Sequence, residues 1–425
     1  MNSIESPLIK DAVEFNLQLK PYDFFILDNG VPVYSINAGA QEVLQLELVF
    51  YAGNWFEQQH SVAAATNYLL KNGTSSRPAF QINEDFEYYG AHCNRACYNE
   101  TAVINITTLS KQLPALLPVI RDMITDSVFP EEELNIYKQN SKQRLSVNLK
   151  KSDFVAARLS DAYIYGEDHP YGRYTKVEDI DALETGALKK YFQQYYVNGQ
   201  CVIFVSGKPP ANIQEQLNTA FGKLSICKPS YQVANIPTTA AAEKKYRIQN
   251  DPEGVQGSIR ILRPFPNRLD PDFIKVMVLN TVFGGFFGSR LMSNIREDKG
   301  YTYGIHSYIQ NHLQQSAWLI STEAGKDVCE ATIAEVYLEM KRLRDEPIGE
   351  EELSLVRNFL MGTILGDLDG PFQIMGRWKN MLLNGLDETY FYDTINTIKN
   401  ISALELQELA KKYLVPEDFY ELVVI

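Results

Sequence analysis

The 425-residue sequence is short of most features that would assign it to a class at sight. No stretch of about 18 consecutive apolar residues occurs, so no membrane span is expected. Residues Met1 to Asp11 lack a basic start leading into an apolar core, so no secretory signal is expected and the chain reads as cytoplasmic. The five cysteines (Cys93, Cys97, Cys201, Cys227, Cys329) are few, odd in number and scattered, which fits free thiols in a reducing compartment better than a disulfide framework. Positive charge is in deficit: 40 basic against 53 acidic residues give a net charge of -13, arguing against nucleic acid or an anionic membrane as the partner. A G-x-S-x-G elbow, a P-loop and a G-x-G-x-x-G turn are all missing. Of the five histidines, His60, His92, His169, His306 and His312, no two are spaced to share a helix face. Neither HExxH nor HxxEH is therefore present, and no helix offers two imidazoles to one zinc. His92 with Cys93 and Cys97 is the one local cluster of soft ligands. It reads as a strand with two small core residues, with an autonomous metal site as the alternative.

What is present is an internal repeat. Phe129-Pro-Glu-Glu-Glu-Leu134 recurs as Pro347-Ile-Gly-Glu-Glu-Glu-Leu353, about 219 residues later, and each acidic triplet suits the start of a long helix, where carboxylates meet the positive end of the dipole. Leu188-Lys-Lys-Tyr-Phe192 followed by the apolar strand Cys201 to Ser206 likewise returns as Ala410-Lys-Lys-Tyr-Leu414 followed by Tyr420 to Ile425. Asp28-Asn-Gly30 between two strand-like runs predicts a hairpin. Helical spacing runs over Val62 to Leu70, Gln81 to Tyr89, Leu113 to Ser127, Pro130 to about Leu149, Asp153 to Tyr165 and Ala182 to Tyr195. The fold class is α+β: two similar domains, each a mixed, mostly antiparallel sheet backed by helices. The domains are expected at 1–228 and 244–425, joined by a linker at 229–243 that carries Pro229, Pro237 and an alanine run.

The densest motif is Phe283-Gly-Gly-Phe-Phe-Gly-Ser-Arg-Leu-Met-Ser-Asn-Ile-Arg-Glu-Asp-Lys-Gly-Tyr-Thr-Tyr303. Gly284, Gly285 and Gly288 free the backbone for angles closed to other residues and for close approach to a ligand, and Ser289 or Ser293 opens the helix that follows. Leu291 and Ile295 share one helix face, Gly300 stops the helix, and Tyr301 begins a strand. Arg296 and Tyr303 fall on either side of that stop. Read blandly, they are a helix-end arginine paired with Glu297 or Asp298 and a strand tyrosine.

These residues together resemble the M16 (pitrilysin or insulinase-like) metallopeptidases, in particular the two-chain M16B branch whose domains are of the LuxS/MPP-like kind, and the resemblance covers nearly the whole chain. That family carries a first-half helix of the pattern G-x-A-H-x-x-E-H-x-x-x-x-G-T and, after it, a Gly-Ala-x-x-N-A strand. Here Val62-Ala-Ala-Ala-Thr-Asn-Tyr-Leu-Leu-Lys-Asn-Gly-Thr74 stands in the helix position and Gly90-Ala-His-Cys-Asn94 in the other. By that resemblance the zinc histidines fall at Ala64 and Tyr68 and the general-base glutamate at Asn67. The third ligand is a glutamate in the helix after Glu133, yet Leu134 to Ser152 holds no carboxylate. Tetrahedral zinc needs ligands that these residues do not supply, so no metal is expected in this chain and it is not expected to be active alone.

The second half keeps the family's R-E-x-x-x-x-x-Y pattern as Arg296-Glu-Asp-Lys-Gly-Tyr-Thr-Tyr303, which two-chain enzymes of this family donate to the zinc site of the other chain. The resemblance therefore implies a non-catalytic subunit of a heterodimeric zinc peptidase. It would close a peptide chamber with a partner carrying HxxEH and zinc, supply Arg296 and Tyr303 in trans, and present Gly284, Gly285 and Gly288 to the peptide substrate. The alternative is a peptide-binding or scaffold subunit with no part in catalysis. The isolated chain is left as either monomer or homodimer.

Overall fold

The computed structural model describes residues 11–230 and 236–425, and its internal contacts divide them into two compact units. Pro21–Ala241 and Gly370–Lys379 form one unit; Ala242–Asp369, Asn380–Ile425 and the described residues before Pro21 form the other. Most of the expected signal-free lead and residues 231–235 of the expected linker lie outside the described residues.

In the first unit, the Asp28-Asn-Gly turn joins β1 (Asp23–Ile26) to β2 (Pro32–Asn37), with Gly30 at φ 86°. There follow β3 (Val43–Phe50), α1 (Val62–Leu69), α2 (Ala79–Tyr88), β4 (His92–Cys97), β5 (Ala102–Leu109), α3 (Leu113–Thr125), α4 (Glu131–Asn148), α5 (Ser152–Tyr165), α6 (Val177–Asp181), α7 (Thr185–Phe192), β6 (Cys201–Gly207) and α8 (Ile213–Phe221). The sheet order is β1-β2-β6-β3-β5-β4, antiparallel throughout except for β2 with β6. Leu44, Leu46, Leu48 and Phe50 alternate along β3 and bury one face against Leu116, Ile120 and Met123 of α3, the period-two pattern of a strand meeting the helical period of its cover. At full burial each such side chain contributes about 1.5–3 kcal/mol. Between them Glu47 accepts from Asn105 Nδ2 (2.9 Å) and pairs with Lys379 (2.6 Å). The helix expected over Ala182 to Tyr195 begins only at Thr185 and closes in a widened turn at Gln193–Val197. That extra residue in the turn swings Tyr196 into the core, where it is fully buried.

The second unit contains β7 (Lys245–Ile248), β8 (Gln256–Phe265), α9 (Phe273–Asn280), β9 (Thr302–Asn311), β10 (Ser316–Gly325), α10 (Cys329–Asp345), α11 (Glu350–Gly366), the last residues of α12 (Pro371–Leu383), α13 (Glu388–Asn400), α14 (Ala403–Tyr413) and β11 (Tyr420–Val424). Its order, β7-β11-β8-β10-β9, repeats that of the first sheet from β2 onward, down to the one parallel pair, β7 with β11. Glu131–Glu133 fill the first turn of α4 and Glu350–Glu352 that of α11. In both units a helical segment ends at a left-handed glycine, Gly90 (φ 59°) or Gly300 (φ 66°), and the chain then enters the edge strand, β4 or β9. Among the described residues no helix is long and apolar enough to cross a membrane.

Candidate functional site

Around Arg296 and Tyr303 the chain leaves α9 by a widened turn at Thr281–Gly285 and enters a second wide-turned helix, Met292–Asp298. Leu291 and Ile295 are fully buried, as their shared face requires. Asn294 is also buried and donates to Glu335 (3.0 Å) and Glu339 (2.7 Å) of α10, while Arg290 holds Glu352 of α11 with two bonds of 2.8 and 2.9 Å. A buried trio fixes the base of the motif: Trp318 Nε1 donates to Asn280 Oδ1, Ser307 Oγ donates to the same oxygen, and Asn280 Nδ2 donates to the Ser307 carbonyl.

None of Gly284, Gly285 and Gly288 has a positive φ, so the expectation of forbidden angles is corrected. Close approach is the reason for glycine at 284, where a Cβ would sit 2.7 Å from Ser307 Cβ and 2.8 Å from Leu291 Cδ1. Gly284 is buried; Gly285 and Gly288 are exposed. Ser289 precedes the helix, and its carbonyl accepts from Ser293, but its buried hydroxyl has no hydrogen-bond partner among the described residues, so it does not cap by its side chain.

Arg296 forms no ion pair with Glu297 or Asp298 among the described residues. Its guanidinium lies 4.6 Å from the centre of the Phe287 ring, and Phe287 is itself 61% exposed. The amides of Gly300 and Tyr301 return to the carbonyls of Arg296 and Ile295, which ends the helix at a fixed point. Tyr303 is 91% exposed. Strict alternation along β9 would put it on the inner face with buried Ile305 and Ser307. The register with β10 shows why it escapes: Ile305 opposes Thr322 and Thr302 opposes Ala324, so β9 carries one extra residue, a bulge. Thr302 Oγ1 accepts from Gly304 N (3.1 Å), and Thr322 Oγ1 donates to the Gly304 carbonyl (2.9 Å), which pins the bulge.

The positions matching the family's zinc helix lie on α1. Glu57, buried, receives the amides of Ser61 (3.2 Å) and Ala63 (3.1 Å) and anchors the helix start; burial, against those bonds and Arg173, pushes its carboxyl up to about 7. Ser61, where the family pattern has glycine, still adopts the left-handed conformation (φ 67°). Ala64 has no donor atom. Asn67 is buried and its Nδ2 donates to Tyr196 Oη at 3.1 Å. Tyr68 packs its ring 5.0 Å from that of Tyr137 on α4. Over the Tyr68 ring, 5.5 Å from its centre, sits the guanidinium of Arg95, which also donates to the Tyr68 carbonyl at 2.7 Å. Arg95 follows Asn94, where the family strand has alanine; only the strand register brings it to α1. A fixed cation there repels a metal ion, and the donor set does not suit zinc. Burial pushes the thiols of Cys93 and of Cys97 up, the latter to about 12, which keeps both protonated at neutral pH, and His92 is exposed. Among the described residues no three His, Cys, Asp or Glu side chains are grouped so as to hold a metal.

Comparison with known proteins bears on the fold and the family. Residues 33–170 match the family described as "Insulinase (Peptidase family M16)" and residues 182–360 the "Peptidase M16 inactive domain". The chain is 23% identical over 362 residues to an uncharacterized zinc protease of Bacillus subtilis, covering 83% of this chain and 85% of that protein. It is 24% identical over 369 residues to the mitochondrial-processing peptidase subunit beta of Mus musculus, covering 82% and 73%. The crystal structure of a peptidase M16 inactive domain from Pseudomonas fluorescens superimposes with a TM-score of 0.86 at 21% identity, covering 95% of this chain and 98% of that one. With both halves matched and each built on the same sheet, the chain belongs to the M16, insulinase-like, peptidase family.

Proposed function

We propose that this chain is the non-catalytic subunit of a two-chain M16 zinc peptidase and donates Arg296 and Tyr303 in trans to the zinc site of an HxxEH-bearing partner. The bulge that exposes Tyr303 carries the reading, because a tyrosine used only for packing has no need to leave the inner face of β9. The guanidinium of Arg296 offers paired donors for a carbonyl or carboxylate of the peptide, and its seat on Phe287 limits its rotamers without a competing carboxylate. The phenol of Tyr303 can donate to the oxyanion that develops on a scissile carbonyl. Exposed Gly285 and Gly288 leave room for a peptide backbone beside them. Zinc belongs to the partner in this reading, since Ala64, Asn67 and Tyr68 cannot hold it.

The test is to mix the chain with an HxxEH M16 subunit and measure peptide hydrolysis. Neither chain alone is expected to turn over, and the mixture is. Activity of the partner that is indifferent to this chain would leave only the scaffold role.

A further inference from the structure

Beside the positions that match the family's zinc histidines stands a cation. Arg95, half-buried, lies on the Tyr68 ring; one of its nitrogens bonds the Tyr68 carbonyl, and its buried Nε has no hydrogen-bond partner. No carboxylate lies within ion-pair distance of it among the described residues, although the chain carries 53 acidic residues. Burial without such a partner holds its guanidinium below the ordinary value, with the neighbouring Cys93 and Tyr68 acting the other way. The opposite wall is α4, on which Tyr137, Ser141 and Arg144 recur at spacings of four and three and so share one face. Tyr137, whose ring packs on Tyr68, has its phenol pushed up by burial, with Ser141 and Arg144 near enough to act against that. The stretch Leu134 to Ser152 contains Lys138, Lys142, Arg144, Lys150 and Lys151 and no acid. Tyr68 is 43% exposed, so the aromatic pair that carries Arg95 is reached from solvent. Phenol and hydroxyl donors, a stacked guanidinium and a second guanidinium, with no acid among them, are the components of a carboxylate receptor, and a stacked, desolvated arginine binds such a group by two bonds.

We infer that the former zinc locus is a binding site for a carboxylate of a peptide, with Arg95 as its principal ligand and Arg144, Tyr68 and Tyr137 beside it. Both a chain terminus and an acidic side chain bear this group. The site lies within one unit and does not depend on the trans donation of Arg296 and Tyr303.

The isolated chain is titrated with three fluorescent octapeptides of one sequence, one ending in a free carboxylate, one in a carboxamide, and one in a carboxamide with an internal glutamate. The free acid is expected to bind at least about tenfold more tightly than the plain amide, and Arg95→Gln to abolish that preference. Arg144→Gln, on an exposed position of α4 where folding is not at stake, is expected to weaken the free acid alone by about threefold. Equal gain by the internal-glutamate peptide shows that the site takes side-chain and terminal carboxylates alike, and its absence assigns the site to chain termini; either supports a carboxylate site. Equal binding of all three peptides, binding of none, or a preference that survives both substitutions overturns it and reduces Arg95 to a brace for the end of α1. Because no partner is present, neither result bears on peptidase activity in the mixed complex.

Discussion

In the first half the connection from α2 passes through left-handed Gly90 into β4 and turns Arg95 inward, onto the Tyr68 ring of α1; in the second half the connection passes through left-handed Gly300 into β9 and turns Tyr303 outward. The framework is the same in both, with the same strand order, the same parallel pair and the same helix stop. A single extra residue in β9 and one guanidinium in β4 account for the difference. Edge strands tolerate such changes because one side of the ladder is unpaired, so a bulge costs few hydrogen bonds and a large side chain displaces few neighbours. The lesson is that two units of one framework can present different side chains at corresponding edges without disturbing either core.

The contrast breaks most visibly at the second edge. Arg296→Ala or Tyr303→Phe is expected to lower turnover of the mixed complex by about 10²-fold, the effect of losing one oxyanion donor. Steady-state kinetics decide this, and unchanged turnover in both variants would sink the trans-donation claim. Next in size, Thr302→Val removes the hydroxyl that accepts from Gly304 N and donates to the Glu323 carbonyl (2.7 Å). With the bulge released, Tyr303 is drawn toward the inner face, and turnover is expected to fall about tenfold while melting temperature barely moves. A loss of stability without a loss of turnover would show that the bulge does not aim the tyrosine.

At the first edge the comparison sharpens through pH. The first half anchors its helix with a buried acid, Glu57, whereas Asn280 and Asn294 serve the second half and do not titrate. The folded carboxyl holds its proton up to about 7, above its ordinary 4.5. Stability from this group is therefore complete below about pH 4.5 and is lost as pH rises through about 7, on the order of 3 kcal/mol in all. Urea unfolding at pH 5 and pH 8 is expected to show a drop for the wild-type chain that is absent in Glu57→Gln; equal drops would assign the dependence elsewhere. The smallest effect belongs to Ser61→Gly, which relieves a left-handed serine where both helix stops use glycine. A gain of about 1 kcal/mol is expected by chemical denaturation, and a loss would mean that the Ser61 Oγ contact with Thr175 Oγ1 (3.1 Å) outweighs the strain.

Much of the framework around the candidate site is legible in the sequence. The repeat showed itself because helix-opening acids and Lys-Lys-Tyr ends are local signals, and the family resemblance placed Ala64 and Tyr68 at the positions of the family's zinc histidines and Asn67 at that of its general-base glutamate. The roles expected of the glycines were harder to read, since close packing at Gly284 against Ser307 is a contact between residues 23 positions apart and leaves no trace in local spacing. The place of Arg95 is hidden for the same reason. The only signal available was an arginine where the family strand has alanine, and nothing along the chain says that α1 lies beneath it.

By itself, then, the sequence determined the two-domain α+β class and the residue types that stand at the family's motif positions, Ala64 and Tyr68 in one half and Arg296 and Tyr303 in the other, because each is a matter of residue type and local period. Tertiary structure alone decided that Tyr303 faces outward and that α1 lies under Arg95. Side-chain direction in a strand follows from register against its neighbour, and register is set by pairing between Thr302 and Ala324 or His92 and Thr107, across a ladder that local sequence does not encode.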